Sequence, residues 1–298
     1  MAARLERLVP WALRIAWLAV GLSVAAALDH LDDSSGLDIL RIVLAAGWIV
    51  GAIATSFPAV RTLTIARVLV PAAVPVSATV WIGGAGANAS ALAVGVSLVA
   101  TALVASADFG RTSVQASAYG AEERHVLRPP TGYLAAAVVT WSLATATSTA
   151  AGVCLATGRM VWAGVCGAVA AGITTWSAPR WHRLSRRWLV VVPAGLVVHD
   201  HLVLAETLMI NRPDIAGIRL APPGATSSTT AADLTGPSTG HAIEITTHTP
   251  ATAILAATPD RPGGRAIHLT AALVSPTRPG RALTGATRRR VGTSPLSR

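Results

Sequence analysis

Three groups of polar residues could do chemistry, and the first suggests metal binding. In an extended segment, His199 and His201 share one face, and their neutral imidazoles could ligate a metal with Asp200 or Glu206 nearby. No further ligand follows at a recognisable spacing, although other histidines are scattered through the C-terminal third: His182, His241, His248 and His268. We therefore interpret the triplet as a bulge or tight bend in an apolar strand, and name His199 and His201 as the ligands if a metal is held.

The second group is Gly236-Pro237-Ser238-Thr239-Gly240, which matches the G-x-S-x-G pattern of a serine nucleophile. Such a nucleophile stands on a sharp turn between a strand and a helix. Here a strand-like segment follows the motif instead of a helix. We therefore predict a Gly/Pro loop, with no catalytic residue and no cofactor in the protein.

The third group consists of Ser142, Thr145 and Thr149, which would form one polar stripe at helical spacing inside an uncharged segment. Two interpretations stay open. The hydroxyls could line a substrate pathway through a membrane, or they could bond to their own backbone and to a neighbouring helix.

The composition identifies the environment in which these residues must be positioned. Of the 298 residues, 52% are hydrophobic and 13% are charged, against about 25% charged in a typical soluble domain. Two cysteines exclude a disulfide scaffold, and the low charge excludes a disordered chain. The sequence therefore predicts an integral membrane protein.

Long stretches without ionisable side chains indicate the membrane spans, because about 20 apolar residues cross the hydrocarbon. These stretches cover residues 42–60, 68–107, 129–158 and 160–179. The second is long enough for two helices and contains a glycine-rich turn. We predict a transmembrane domain over 1–179, with spans near 9–28, 39–57, 63–82, 91–107, 133–155 and 160–178.

The first of these spans has a second interpretation. Arg14 interrupts it, although an arginine near the end of a span can reach the headgroups. Alternatively, Arg4, Arg7 and the Ala25-Ala26-Ala27 segment could belong to a cleaved secretory signal. The chain then has five spans instead of six.

Loop charges predict the orientation of the helices. Arginines occur before the first span, around the second loop, in the fourth loop and after the last span, whereas the first loop is acidic and the third is uncharged. We therefore expect a multi-pass protein of the cytoplasmic membrane with both termini in the cytoplasm.

After Arg180 the hydrophobic pattern changes to short β-branched segments separated by turns. Trp188–Val192 and Leu196–Val198 flank Pro193-Ala194-Gly195 and predict a hairpin. Further strand-like segments lie at 201–204, 207–210, 215–220, 241–247, 252–256 and 266–270. We predict a small cytosolic antiparallel β domain over 180–275, interrupted by a loop at 222–232. Residues 276–298 contain six arginines and no acidic residue, which predicts a disordered tail.

Arginines and tryptophans are interleaved where the two domains join. Trp and Arg are typical of the membrane interface, where anionic lipid attracts each Arg by about 1 kcal/mol. We therefore predict lipid-headgroup anchoring by this cluster: Arg180, Trp181, Arg183, Arg186, Arg187 and Trp188. Nucleic acid is the competing partner for the arginines at 288–290, and we favour lipid because the membrane is tethered nearby.

The segment SRRWLVVVPAGLVVHDHLVLAET (185–207), directly after a span, resembles the opening strands of bacterial pleckstrin-homology-like domains attached to membrane helices. The whole arrangement also resembles uncharacterised actinobacterial integral membrane proteins. The resemblance covers about a third of the chain and transfers no functional residue. It implies a small β-barrel that binds proteins or lipids.

These observations together predict a non-enzymatic protein that anchors a cytosolic β-rich module for protein recruitment or lipid sensing. Its expected partners are the lipid bilayer, anionic headgroups and a cytosolic protein. The alternative is a transporter or channel component regulated by the β-rich module, on the basis of the hydroxyl stripe and of Pro71 and Pro75 in the third span.

Overall fold

The structure is a computed structural model that describes residues 2–31, 34–222, 231–257 and 264–292. The chain forms two compact units. The helical unit contains the chain up to residue 113 and residues 136–182, and the β unit contains residues 114–135 and the chain from residue 183. The β unit is therefore discontinuous in sequence.

Among the described residues, six helices are long and apolar enough to cross a membrane, and a shorter amphipathic helix follows the fourth. In chain order the helices are α1 (Ala2–Leu28), α2 (Ser35–Ser56), α3 (Val60–Ile82), α4 (Ala87–Ala105), the short α5 (Ala107–Gln115), α6 (Thr131–Ala156) and α7 (Met160–Ser185). Each predicted span lies within one of the six long helices, apart from one or two terminal residues. The six predicted helices are thus confirmed.

Local signals set the ends of several helices. The hydroxyl of Ser34 accepts a hydrogen bond from the Leu37 backbone at 3.1 Å and caps α2. Thr62 accepts a hydrogen bond from the Ala59 backbone at 2.9 Å near the start of α3. Gly158 adopts a φ of 72° in the turn between α6 and α7, a conformation that residues with a Cβ atom rarely adopt. Pro71 and Pro75 lie inside α3 without ending it.

Helices α1 to α4 pack against one another, with α1 in contact with the other three. The indole of Trp17 donates to the Trp48 carbonyl at 2.9 Å, and the indole of Trp48 donates to the Trp17 carbonyl at the same distance. Between α3 and α4, the buried hydroxyls of Ser77 and Ser97 lie 3.3 Å apart. These four residues therefore pair polar groups across helices.

The β unit contains two four-stranded sheets. The first has the order β1-β2-β3-β4, and the second the order β5-β7-β8-β6. The strands are β1 (Glu123–Val126), β2 (Arg187–Val192), β3 (Gly195–Asp200), β4 (Leu208–Asn211), β5 (Ile215–Leu220), β6 (Ala231–Asp233), β7 (Ile243–Leu255) and β8 (Arg265–Val274). Neighbouring strands are antiparallel except β6 and β8, which are parallel.

Strand β1 is the main departure from the predicted domain boundaries. It precedes α6, and it pairs with β2, which follows α7, so that Val126 lies opposite Trp188. Four residues containing both Glu123 and Arg124 gave no periodic signal of a strand. The boundary at residue 180 therefore omits a segment of the β unit.

The predicted strands agree in part with those observed. The β2–β3 hairpin is present, with Gly195 at its turn at a φ of 150°. Residues 201–203 form a turn instead of the predicted strand at 201–204, and Leu204 makes a single bridge to Leu255. The predicted strands at 241–247 and 252–256 fall within the single long strand β7, whose register shifts between Thr246 and Ala251.

One apolar core joins the two sheets. Alternate residues of β2 and β3, including Leu189, Val191 and Val198, pack in the same cluster as Ile243 and Ile245 of β7. This alternation is expected of sheets that each bury one face. Ile243 and Ile245 thus face inward as predicted.

A C-terminal helix α8 (Pro279–Arg288) packs on this core, where a disordered tail over 276–298 was predicted. Its buried residues are Ala282, Gly285 and Ala286, and Val291 follows them into the core. The prediction is therefore wrong for 279–292, and residues 293–298 lie outside the described residues. In the predicted loop at 222–232, residues 223–230 also lie outside them, whereas Ala231 and Ala232 belong to β6.

Candidate functional site

The predicted headgroup cluster divides into exposed and buried residues. Arg180 and Arg183 are exposed, and the guanidinium carbon of Arg180 lies 3.7 Å from the ring centroid of the exposed Trp176. Arg186 is half-buried, with its guanidinium 3.3 Å from Nε2 of His201. Arg180 and Arg183 therefore have the exposure that contact with anionic headgroups requires.

Both tryptophans of the predicted cluster are buried. The Trp181 indole donates to the Thr140 hydroxyl at 3.1 Å, which joins α7 to α6. Trp188 lies on β2 with its ring stacked on His199, and the Arg124 guanidinium is 5.4 Å from its centroid. Neither indole is placed to face headgroups, because packing partners cover both. Their role as anchoring residues stays a prediction that this burial does not support.

Arg187, the fourth arginine of the cluster, is also not an anchor. Its side chain has no exposed surface and forms a bidentate ion pair with Asp200, with Nε–Oδ1 and Nη2–Oδ2 distances of 2.8 and 2.6 Å. It also donates to the carbonyls of Arg128 and Thr235. Arg187 thus joins β2 and β3 to the segment after β1 and to the segment after β6. A fully buried charge of this kind requires such partners.

The two candidate metal-binding histidines lie in a stack of rings beside this ion pair. The His199 ring is stacked on Trp188 with centroids 4.5 Å apart, and it meets the His201 ring edge-on at 4.4 Å. Burial, together with the positive neighbours His201, Arg186 and Arg124, lowers the pKa of His199 to about 4. Burial and Arg186 also lower the pKa of His201.

Neutral histidines are suitable metal ligands, but the surroundings of this pair do not complete a site. Within the described part of the chain, no group of three or more His, Cys, Asp or Glu side chains is placed to hold a metal ion. Asp200 is occupied by Arg187, and Nδ1 of His199 lies 3.1 Å from the Thr207 hydroxyl. The arrangement favours a packing role for the His199 and His201 rings over metal binding.

Ser238 lies in a loop between β6 and β7, so it lacks the strand-to-helix turn of a nucleophile. Its hydroxyl is hydrogen-bonded to the hydroxyl of Ser275. Gly236 and Gly240, which flank it, have positive φ values of 65° and 97°. The motif is thus a glycine-rich turn, as predicted.

The hydroxyl-bearing residues of α6 that line a cavity differ in part from the predicted stripe. Thr145 and Thr149 line a cavity together with Ser148, whereas Ser142 does not line it. The Thr149 hydroxyl donates to the Thr145 carbonyl at 2.8 Å. The lining of the cavity therefore includes three hydroxyl-bearing residues. The hydroxyl of one of them, Thr149, is hydrogen-bonded within its own helix.

This cavity and a second one adjoin each other within the helical unit. Their volumes are about 690 and 340 Å³. They share the lining residues Leu28, Leu44, Val76, Ser148 and Thr149. We name the two together the trough. Helices α1, α2, α3, α6 and α7 contribute to its walls, and aliphatic and indole side chains predominate in its lining.

Two contacts join helix α6 to other walls of the trough. In the first half of α6, the Trp141 indole donates to the Val68 carbonyl at 2.9 Å. Near the end of α6, a Cβ at Gly36 would lie 2.9 Å from the Leu155 carbonyl carbon, so the backbones of α2 and α6 touch there. Between these contacts the side chains of α6 face the trough.

Sequence reasoning missed the trough because the residues that line it come from helices far apart in the chain. Its charged lining residues are Asp29 and Arg41, which stood out only as part of an acidic loop and its flanking arginine. Arg41 donates to the carbonyl of Leu28, the last residue of α1, at 3.2 Å, and pairs with Asp38 at the same distance. Tryptophans inside predicted spans, rather than at their ends, were a signal that could have indicated an internal aromatic site.

Comparisons with known proteins add no family: no protein-family profile matches the chain, and neither a curated protein nor a solved structure is significantly similar to it.

Proposed function

We propose that this protein is a multi-pass protein of the cytoplasmic membrane that holds its β unit at the cytosolic face, where the β unit recruits a protein partner or senses lipid without catalysis. The observation that carries this proposal is the outward apolar surface of six helices of membrane-spanning length. Ile82 and Val161, for example, are 88% and 78% exposed. Water disfavours so much continuous apolar surface, whereas hydrocarbon does not.

The position of Arg14 supports a transmembrane α1. Its guanidinium donates to the carbonyls of Thr55 and Ser56 at 3.3 and 2.9 Å, at the end of α2, and lies 4.7 Å from the Trp11 ring centroid. Terminal carbonyls of a helix have no partners within that helix, so they solvate a cation well. The one charge inside the apolar part of α1 is therefore compatible with a span.

Pairing of β1 with β2 supports the proposed topology of α6 and α7. The chain leaves the β unit after β1 and re-enters it at β2, so its ends lie on one side of any membrane that α6 and α7 cross. Because α6 and α7 cross the membrane once each, the chain returns to the side from which it started, and this condition is met. The exposed Arg180 and Arg183, in the last turns of α7, then support a cytosolic β unit by the positive-inside rule.

The contacts within the β unit support a binding role for it over a catalytic one. Its buried ion pair, its stacked rings and its serine loop are each occupied by internal contacts. Met209 and Leu220 expose 41% and 47% of their surface on β4 and β5, where a partner could cover them. Two sheets around one core also support the resemblance to pleckstrin-homology-like domains, and the parallel β6–β8 pair is a departure from an all-antiparallel module.

Transport by a channel or carrier remains the second candidate, because Thr145, Ser148 and Thr149 line the trough. The rest of that lining is predominantly apolar, which favours a hydrocarbon over a hydrated solute. Changing all three residues to Ala in a strain with a measurable flux phenotype tests this candidate. Unchanged flux would contradict it.

Labelling of single cysteines tests the proposed topology. In a background with Cys154→Ala and Cys166→Ala, we would place a cysteine at Thr157, in the α6–α7 turn, or at Thr287, on the exposed face of α8. A membrane-impermeant maleimide should label Thr157→Cys in intact cells and Thr287→Cys only after lysis. Labelling of both in intact cells, or recovery of the chain in the soluble fraction, would overturn the proposal.

Affinity capture tests the recruitment role, and it requires the full chain because a fragment over 180–275 lacks β1 and α8. We expect a specific protein to be enriched by the wild type and lost with Met209→Glu/Leu220→Glu, while Thr287→Glu on α8 retains it. Equal enrichment by all three chains would exclude this surface as the recruiting one.

A further inference from the structure

The chemistry of the residues that line the trough indicates what kind of molecule could occupy it. We propose that it holds one acyl chain of a membrane phospholipid, with the headgroup phosphate beside Arg41. The inference rests on the proposed membrane location and goes beyond it, because it assigns a built lipid-binding site inside the helical unit. It does not depend on which side of the membrane the β unit occupies.

The first support is that an apolar space of this size does not remain empty. An unfilled void deprives its walls of dispersion contacts, and water gains too few hydrogen bonds to fill an apolar space. The larger cavity alone, at about 690 Å³, is within the range of ligand pockets. Hydrocarbon from the bilayer is the medium available to fill it.

The second support is the depth of the trough, which is sufficient for an acyl chain. The lining extends on α1 from Trp17 to Leu28, or about 16 Å of helix, and on α6 from Trp141 to Ala156, or about 22 Å. One leaflet contributes about half of the 30 Å hydrocarbon thickness, or about 15 Å. On α1 and α2, Trp17 and Trp48 line the trough at about that distance from Leu28.

The third support is the position of the charged lining residues. Arg41 donates to the carbonyl of Leu28, so its guanidinium lies at the end of α1, which is headgroup depth for a span of this length. Guanidinium is well suited to bind phosphate, and Arg41 and Asp29 together make this end of the lining polar. The trough therefore has one polar end and one apolar end, as a lipid does.

The hydroxyls of α6 do not contradict an acyl chain. Thr149 satisfies its own hydroxyl on the Thr145 carbonyl, which leaves its methyl group free to contact hydrocarbon.

Gly47 provides a direct way to fill the trough. It lines the larger cavity, and a Cβ built on it meets nothing within 4 Å, so a larger side chain enters open space. Gly95 on α4 is the matched control, because its Cβ also meets nothing and it does not line the trough. Ala45→Leu, at a second lining position, provides an independent filled variant.

The experiment uses the full chain reconstituted in phosphatidylglycerol and phosphatidylethanolamine vesicles that contain a phospholipid with a diazirine on its acyl chain. After irradiation, cross-linked peptides are mapped by mass spectrometry. We expect labelling along the α6 lining around 144–152, reduced about tenfold in Gly47→Leu and Ala45→Leu and unchanged in Gly95→Leu. Labelling of Val161 and Val165 on α7, which face outward, should be equal in all chains.

Two results would overturn the proposal. One is equal labelling of the α6 lining in the filled variants and the wild type, with melting temperatures that confirm folding. The other is native mass spectrometry of the purified chain that shows an isoprenoid, or detergent alone, in place of a phospholipid. A soluble chain, by contrast, would be detected at reconstitution and would contradict the membrane location itself.

Discussion

Trp17 and Trp48 form a reciprocal pair, in which each indole donates to the backbone carbonyl of the other residue at 2.9 Å. Each ring also lies on a glycine of the opposite helix. A Cβ at Gly21 would lie 2.6 Å from Cε2 of Trp48, and a Cβ at Gly51 would lie 2.6 Å from Cε2 of Trp17. The α1–α2 contact therefore repeats the same interaction twice, once from each side.

This pair predicts that neither glycine tolerates a methyl group. We expect Gly21→Ala and Gly51→Ala each to lower the free energy of unfolding by about 1–3 kcal/mol, because the ring opposite must move. Thermal unfolding in detergent, followed by circular dichroism, measures the effect. Gly47→Ala on the same helix meets nothing within 4 Å and is the control; a loss of stability as large as that of Gly51→Ala would refute the steric explanation.

The buried Arg187–Asp200 pair predicts strong coupling in the β unit. Arg187→Met or Asp200→Leu alone leaves a buried unpaired charge, and we expect each to destabilise the unit by about 3–5 kcal/mol. The double substitution should cost less than the sum of the two. Denaturant unfolding followed by tryptophan fluorescence provides the double-mutant cycle.

A surface ion pair of the same chemistry serves as the control for that cycle. Arg219 pairs with Glu244 at 2.8 Å, but the arginine side chain is 69% exposed. We expect Arg219→Met to have a much smaller effect on stability than Arg187→Met, because water screens the exposed pair. Equal effects of Arg219→Met and Arg187→Met would show that burial does not determine the strength of the pair.

The lowered pKa of His199 predicts how stability depends on pH. The folded state holds this imidazole neutral down to about pH 4, whereas the unfolded state takes up a proton near 6.5. The unfolded chain therefore binds more protons between these values, so the stabilisation that is present above pH 6.5 is lost as the pH falls towards 4.

Replacing the imidazole tests this dependence. Between pH 6.5 and 4, we expect the melting temperature of the wild type to fall more steeply than that of His199→Gln. Melting curves at intervals across that range measure the two slopes. Parallel slopes would mean that His199 titrates alike in the folded and unfolded states.

Helix α8 predicts a sharp contrast between neighbouring residues. Ala286 is buried in the core, and Thr287 is exposed. We expect Ala286→Asp to destabilise the β unit by about 3 kcal/mol or more, because the carboxylate would be buried without a partner, and Thr287→Asp to have little effect. Protease resistance of the C-terminal region measures both. Equal resistance of the two variants would indicate that this segment does not dock on the core.

The helices could be predicted from the sequence because the property that defines them is local. The apolar part of each long helix lies in a stretch with few or no ionisable side chains, so no distant contact is needed to identify it. The β2–β3 hairpin was predictable for the same reason, since Pro193 and Gly195 lie between its strands. Strand β1 was not, because its partner lies beyond two helices.

The candidate sites were harder to predict because they depend on which side of an element a residue faces. Arg183 and Arg187 occur in one basic run, yet the first is exposed and the second is fully buried against Asp200. Nothing in the run itself distinguishes them. Likewise, the arginines of α8 are unusual for a helix that packs on a core. The helix can pack because the residues on its buried face are small.

Strand β1 has a consequence for the order of events during synthesis. Its residues Glu123 and Val126 pair with Val191 and Trp188, which lie 68 and 62 positions later in the chain. The ribosome therefore exposes an unpaired strand edge while it is still making the intervening helical hairpin. Any delay at that hairpin prolongs the time in which the edge can pair with another nascent chain. The time for which β1 stays unpaired thus depends on how quickly α6 and α7 are synthesised.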